Sequence, residues 1–284
     1  VNYFTYDHIR TGIKTEHGIA DLVQNALMYS MDVPTSMEQI IEAGEDGLFR
    51  LNKLVGNDLE VFPEDDVTFM PCVRQPEKIL CVGLNYRTHA DETNTEYPEQ
   101  PVIFGKYDNA LAAHRQEITL SKRAEQYDYE AELVIVIGKE VHDIKKKEAR
   151  DAIFGYTCGN DLSARDAQFV SGQWLIGKNM DGFAPIGPYL VTADEFDPAS
   201  AEIRCEVNGQ VMQRANTSDM IFSCEKIVSY VSRYMTLKPG DLIFTGTPGG
   251  VMLGKPEAEQ KWLVPGDTVA VEIEGIGRLE NTLI

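Results

Sequence analysis

The apolar positions of this chain fall into short runs separated by glycine, proline and polar turns. KILCVGLNY (78–86) is one such run, broken at Gly83; PVIFGKY (101–107) and LVIVIG (133–138) are others. Runs this short and this rich in β-branched residues predict buried strands. GYTCGND (155–161) reads as a strand ending in acid, and DLIFTG (241–246) and DTVAVEIEGIG (267–277) as strands entered from Pro-Gly turns. AEIRCEVNGQVMQR (201–214) predicts a hairpin turning at Asn208-Gly209, a pair suited to the positive φ values of a type I′ turn. Helical spacing is rarer. CEKIVSYVSRYM (224–235) carries Ile227, Val228, Val231 and Met235 on one face, and KKKEARDAIF, NYRTHADET and LSARDAQFV predict shorter helices. In the first 70 residues, TGIKTEHGIADL predicts a hairpin around Glu16 to Gly18, and Ser36 caps a helix through MEQIIEAG that Gly44 ends. Pro63, Pro71 and Pro76 then mark a connecting segment. The pattern predicts a small N-terminal α/β domain over 1–70. A strand-rich α+β domain with a rolled or barrel-like sheet follows over 71–284.

Charge narrows the partners. Lys plus Arg is 26 and Asp plus Glu is 45, a formal net charge of −19. That field repels phosphate backbones and anionic membrane surfaces, which argues against nucleic acid and membrane partners. An anionic substrate would need a local cation to reverse the sign, and a bound metal is one such device. The five cysteines are scattered, with no CxxC pair. They read as reduced thiols, and with no apolar leader in VNYFTYDHIR and no run near ~20 apolar residues, the expected location is cytoplasmic.

The stretch DYEAELVIVIG (128–138) raises the chemical question. Glu130 and Glu132 are two apart on a strand, so they share a face, at the edge of a run bound for the core. Such a pair faces solvent, is neutralised by Lys or Arg, or binds a cation. Asp161, at the end of another strand, is either a third oxygen ligand or the cap of the next helix. His89 and Glu92, spaced i, i+3, share a helix face as a base and its orienting acid, or as an ordinary surface pair. Arg165 and Gln168 can share the helix face beside Asp161, and Lys178 lies in a run with few other charges. These cations bind a substrate anion or neutralise the acids. FTGTPGGV (244–251) offers close backbone approach and the Thr247 hydroxyl. Gly249 to Lys255 fits GxxxxGK, but Pro256 stands where a phosphate-binding loop needs Ser or Thr.

Taken in order, CVGLNYRTHADE, YEAELVIVIG, GYTCGNDLSARDAQ, GKNMDGFAPIGP, VNGQVMQ, MIF and FTGTPGGV resemble the fumarylacetoacetate hydrolase family, from about residue 78 to the end. The resemblance implies a mixed β-roll, a homodimer, and Mg²⁺ or Mn²⁺ held by Glu130, Glu132 and Asp161. It implies a catalytic His89–Glu92 pair on a lid helix, a catalytic Lys178, and substrate contacts from Arg165, Gln168 and Thr247. The implied activity is metal-dependent hydrolysis of a C–C bond in a small β-dicarbonyl acid of the acylpyruvate or fumarylpyruvate type. Oxaloacetate-type decarboxylation or tautomerisation is the alternative, and a non-catalytic dimer that binds a keto acid is a third reading.

Overall fold

The computed structural model of the protein describes residues 1–5 and 8–284. The fold is a mixed α+β roll with many strands and few helices. Its centre is a seven-stranded sheet with the order Val102–Lys106, Ile79–Gly83, Leu242–Phe244, Ala131–Ile137, Ile153–Asn160, Ala184–Thr192 and Leu111–Ala112. Leu242–Phe244 runs parallel to Ile79–Gly83, and Ala184–Thr192 parallel to Leu111–Ala112; the other neighbours are antiparallel.

The middle strand explains its own sequence. Every residue of Ala131–Ile137 is buried, because both faces are covered. Leu133, Ile135 and Ile137 pack in one core with Ile203, Val271 and Leu279 of a second, four-stranded sheet. Val134 and Val136 pack in another with Leu22, Ile41 and Leu54 from the N-terminal segment. A strand buried on both sides reads as a continuous apolar run rather than an alternating one. Glu132 shares the face of Val134 and Val136, so its carboxylate belongs to the interior.

The second sheet has the order Gln210–Asn216, Glu202–Val207, Thr268–Ile273 and Gly277–Thr282. Its hairpin turns at Asn208 and Gly209, at φ +51° and +77°, the geometry the Asn-Gly pair predicts. The N-terminal segment forms a four-stranded sheet of Gly18–Asp21, His8–Thr15, Asn2–Thr5 and Thr68–Met70, the last drawn from the proline-marked connection. Ser36 caps the helix Met37–Val55 through a capping box with Gln39. The helix breaks at Gly44 (φ +52°), where the sequence predicts its end, but then resumes to Val55. The buried Leu51 and Leu54 draw it back onto the central sheet. The helix of KKKEARDAIF is, by contrast, shorter than expected, Lys146–Ala149 with one tighter turn. Ile153 already pairs with Ile137 in the sheet. Among the described residues no helix is long and apolar enough to cross a membrane.

Candidate metal centre and its cleft

Strand register assembles the acids. Gly159 lies opposite Glu132 and Asn160 opposite Ala131. The next residue, Asp161, donates its backbone N–H to the Glu130 carbonyl at 3.0 Å. The Asn160 side chain accepts the Glu130 N–H at 3.0 Å, which fixes the chain on the approach to the strand. One carboxylate oxygen from each of Glu130, Glu132 and Asp161 lies within 4.8 Å of the other two, and all three residues are buried.

Cations surround two of these acids. Lys178 Nζ donates to Glu130 Oε2 at 2.8 Å and to Asp161 Oδ2 at 2.9 Å. Lys106 Nζ donates to the other oxygen of Asp161. Arg165 donates through Nη2 to Glu130 Oε1 at 2.6 Å, through Nε to Asp128 Oδ2 at 2.9 Å and through Nη1 to Gln168 Oε1 at 3.0 Å. Burial would raise the Glu130 carboxyl, but Lys178 and Arg165 outweigh it and hold it well below the usual carboxylate range. Burial lowers Lys178 in turn, and the charges of Asp161 and Glu130 more than reverse this.

Glu132 differs. Its partner is the backbone N–H of Gly246 at 2.6 Å, and among the described residues it makes no ion pair. Gly246 adopts φ +98°, and a Cβ there would come within 2.9 Å of the Val82 carbonyl, so only glycine delivers this donor. Burial pushes the Glu132 carboxyl well above its usual range, and the charges of Asp161 and Glu130 push the same way. A buried carboxylate placed against two others, with one neutral donor, is the chemistry a bound cation compensates. The all-oxygen donor set fits a hard divalent ion rather than zinc.

His89 and Glu92 meet as their spacing predicts, on the short helix Arg87–Glu92. His89 Nδ1 is 2.9 Å from Glu92 Oε1. An ionised carboxylate only accepts, so Nδ1 is the donor and Nε2 is left for proton exchange. Glu92 Oε2 accepts the Gly250 N–H at 2.7 Å, and the Glu92 side chain lies against Gly254, where a Cβ would fall 2.5 Å from Cδ.

Both groups open onto one cleft of about 710 Å³. His89, Glu92, Glu130, Glu132, Arg165, Gln168, Lys178 and Thr247 all line it, while Asp161 lies fully buried behind them. Thr247 Oγ1 accepts from Gln213 Nε2 at 2.8 Å, which leaves its proton available to the cleft. The guanidinium of Arg165 has all three nitrogens engaged. The sequence reading missed Lys106, Asp128, Gln213 and Lys255. Asp128 was findable, since it precedes Glu130 by two in the same alternation. It anchors Arg165 and accepts the N–H groups of Met252 and Leu253 at 2.9 and 3.1 Å. The five cysteines are free and buried.

Comparison with known proteins agrees with this architecture. The family model described as fumarylacetoacetate (FAA) hydrolase C-terminal matches residues 78–284. A mitochondrial oxaloacetate tautomerase of Rattus norvegicus is 39% identical over 272 residues, 95% of this chain and 86% of that protein. A fumarylacetoacetate hydrolase from Exiguobacterium antarcticum superposes with a TM-score of 0.83 at 32% identity, covering 99% of this chain and 97% of that one. A maleylpyruvate hydrolase from Sphingobium sp. SYK-6, solved with manganese(II) and pyruvate, superposes with a TM-score of 0.80 at 28% identity, covering 100% and 99%. The expected cytoplasmic location is corrected by these relatives. The tautomerases from rat, cattle and human are mitochondrial by name, so scattered thiols and the composition of the first ten residues were no guide to compartment.

Proposed function

This chain belongs to the fumarylacetoacetate hydrolase family and is an enzyme, and from that premise we propose that it interconverts the enol and keto forms of a small 2-oxo acid of the oxaloacetate type. The observation that carries the reading is a proton-exchanging nitrogen, His89 Nε2, in the same cleft as a buried carboxylate cluster whose Glu132 has no ion pair among the described residues. Glu130, Glu132 and Asp161 would hold Mg²⁺ or Mn²⁺, which when bound polarises the substrate carbonyl as a Lewis acid. Glu92 fixes the His89 tautomer and stabilises the charge that the ring gains on taking a proton. In the enol-to-keto direction the substrate loses its enolic proton and gains one at the adjacent carbon, so net composition is unchanged. We assign both transfers to His89 Nε2, which takes the enolic proton and delivers a proton to the adjacent carbon, so the ring ends as it began. Lys178 and Gln168 stand at the cleft wall, where developing negative charge on oxygen would be steadied. Arg165, with its nitrogens committed to Asp128, Glu130 and Gln168, orients the acids rather than reaching the substrate. The mitochondrial tautomerases at 39% identity support this choice of reaction.

C–C hydrolysis of an acylpyruvate-type acid is the second reading. The oriented His89–Glu92 pair favours it, because the same nitrogen could activate water, and the cleft is roomier than a four-carbon acid needs. The homodimer that the family resemblance implies belongs to the proposal, and sedimentation equilibrium tests it. For the reaction, enol-oxaloacetate and acetylpyruvate are each followed by ultraviolet absorbance with Mg²⁺ or Mn²⁺, against metal alone. Faster ketonisation of the first supports tautomerisation, and loss of the second with pyruvate released supports hydrolysis. Neither rate exceeding the metal-only control overturns both.

A further inference from the structure

We infer that Lys255 reads a second carboxylate at the far end of the substrate, so that the cleft selects 2-oxo dicarboxylic acids over monocarboxylic ones. The inference rests on the oxo-acid reading above and deepens it. Three cationic side chains line the cleft: Arg165, Lys178 and Lys255. Arg165 is bound to Asp128 and Glu130, and Lys178 to Glu130 and Asp161. Among the described residues, the Lys255 side chain makes no hydrogen bond and no ion pair, although acids outnumber bases by 45 to 26 in this chain. It is the cleft's uncommitted positive charge. Lys255 is a half-buried residue of the cleft wall, and an ammonium with no partner there can bind an anion, which a substrate carboxylate supplies.

Its backbone is fixed in place. The Lys255 N–H donates to the Met252 carbonyl at 3.1 Å, and the Lys255 carbonyl accepts from Gln260 Nε2 at 2.9 Å. The turn before it is tied to Asp128 through the N–H groups of Met252 and Leu253, and Asp128 also holds Arg165. The loop is therefore anchored to the same network as the acidic cluster, which sets the position of its backbone relative to that cluster. Phe104, Trp174 and Leu253 line the cleft with them and give the substrate's carbon chain an apolar wall. A 2-oxo acid group at the acidic end and a terminal carboxylate at Lys255 would satisfy both polar ends. A monocarboxylic acid leaves Lys255 without a partner.

The test uses two five-carbon ligands that differ at the far end. Mn²⁺-loaded protein is titrated calorimetrically with 2-oxoglutarate and with 2-oxopentanoate. The wild type is expected to bind 2-oxoglutarate about 10-fold more tightly, the value of one charge-assisted hydrogen bond. In Lys255→Met the two ligands converge, while 2-oxopentanoate binding is unchanged and serves as the control for folding. Lys255→Arg retains the preference, and Lys255→Gln repeats the test should the Met variant not fold. Equal affinities in the wild type, or a preference that survives Lys255→Met, overturns the inference and leaves oxo-acid chemistry standing. A wild type that binds neither ligand overturns the oxo-acid reading itself.

Discussion

The two ends of the cleft are built differently. At the acidic end the functional groups come from strands or their immediate ends: Glu132 from Ala131–Ile137, Asp161 just past Ile153–Asn160, and Lys106 closing Val102–Lys106. These side chains are almost fully buried; Asp161 is ion-paired to Lys106 and Lys178, while Glu132 is held by the Gly246 N–H alone. At the other end the walls are loops, Thr93–Thr95 and Leu253–Pro256, on half-exposed or exposed backbone. Changing an ion-paired group at the acidic end, such as Asp161 or Lys178, leaves a buried charge unpaired, which costs several kcal/mol. Changing the loops costs the core little. Reaction chemistry can therefore stay constant while substrate choice varies, which suits a family whose compared members include a tautomerase and a hydrolase.

The largest expected effect is at Glu132. Glu132→Gln should abolish the rise in Tm that saturating Mn²⁺ gives the wild type, and lower kcat/KM by about 10³-fold or more. The metal-free variant should be no less stable than the wild type, because it removes an uncompensated buried acid. A metal-free Tm several degrees lower would show that the carboxylate is structural and would break the contrast. His89→Gln should come next, with kcat down about 10²-fold and the Mn²⁺-induced Tm shift intact. A lost Tm shift would mean that the two ends are not separable. Gly254→Ala is the finer probe. Its methyl group would displace Glu92, whose Cδ lies 2.5 Å from that position. We expect kcat to fall about 10-fold through misorientation of His89, with metal affinity unchanged. Unaltered kcat in this variant would show that Glu92 does not position the ring.

Much of this site was legible before folding. The i, i+2 spacing of Glu130 and Glu132 put them on one face, and the i, i+3 spacing of His89 and Glu92 brought them into hydrogen-bond reach. The Asn208-Gly209 turn was equally plain. The helix break at Gly44 was readable, but its resumption was not, because Leu51 and Leu54 are rewarded only by contact with a sheet distant in sequence. Lys106 was hidden for a similar reason. It closes an apolar run, and its partner Asp161 is 55 residues away. Lys255 carried a misleading signal, since the glycines before it imitate a phosphate-binding loop, while in the folded chain Gly254 makes room for Glu92.

What the sequence determined by itself was periodic and local: which residues form strands, which side chains share a face, and which turns need glycine. These follow from backbone geometry over a few residues. What only the tertiary structure decided was the pairing of charge. Three explanations were open for the two acids on one strand, and the two acids divide between them. Glu130 is neutralised by Lys178 and Arg165, while Glu132 is left as the carboxylate a cation would complete. Lys178 and Arg165 lie 48 and 35 residues from Glu130. A Coulomb interaction depends on distance through space and on burial, and strand register and the closing of the roll set both.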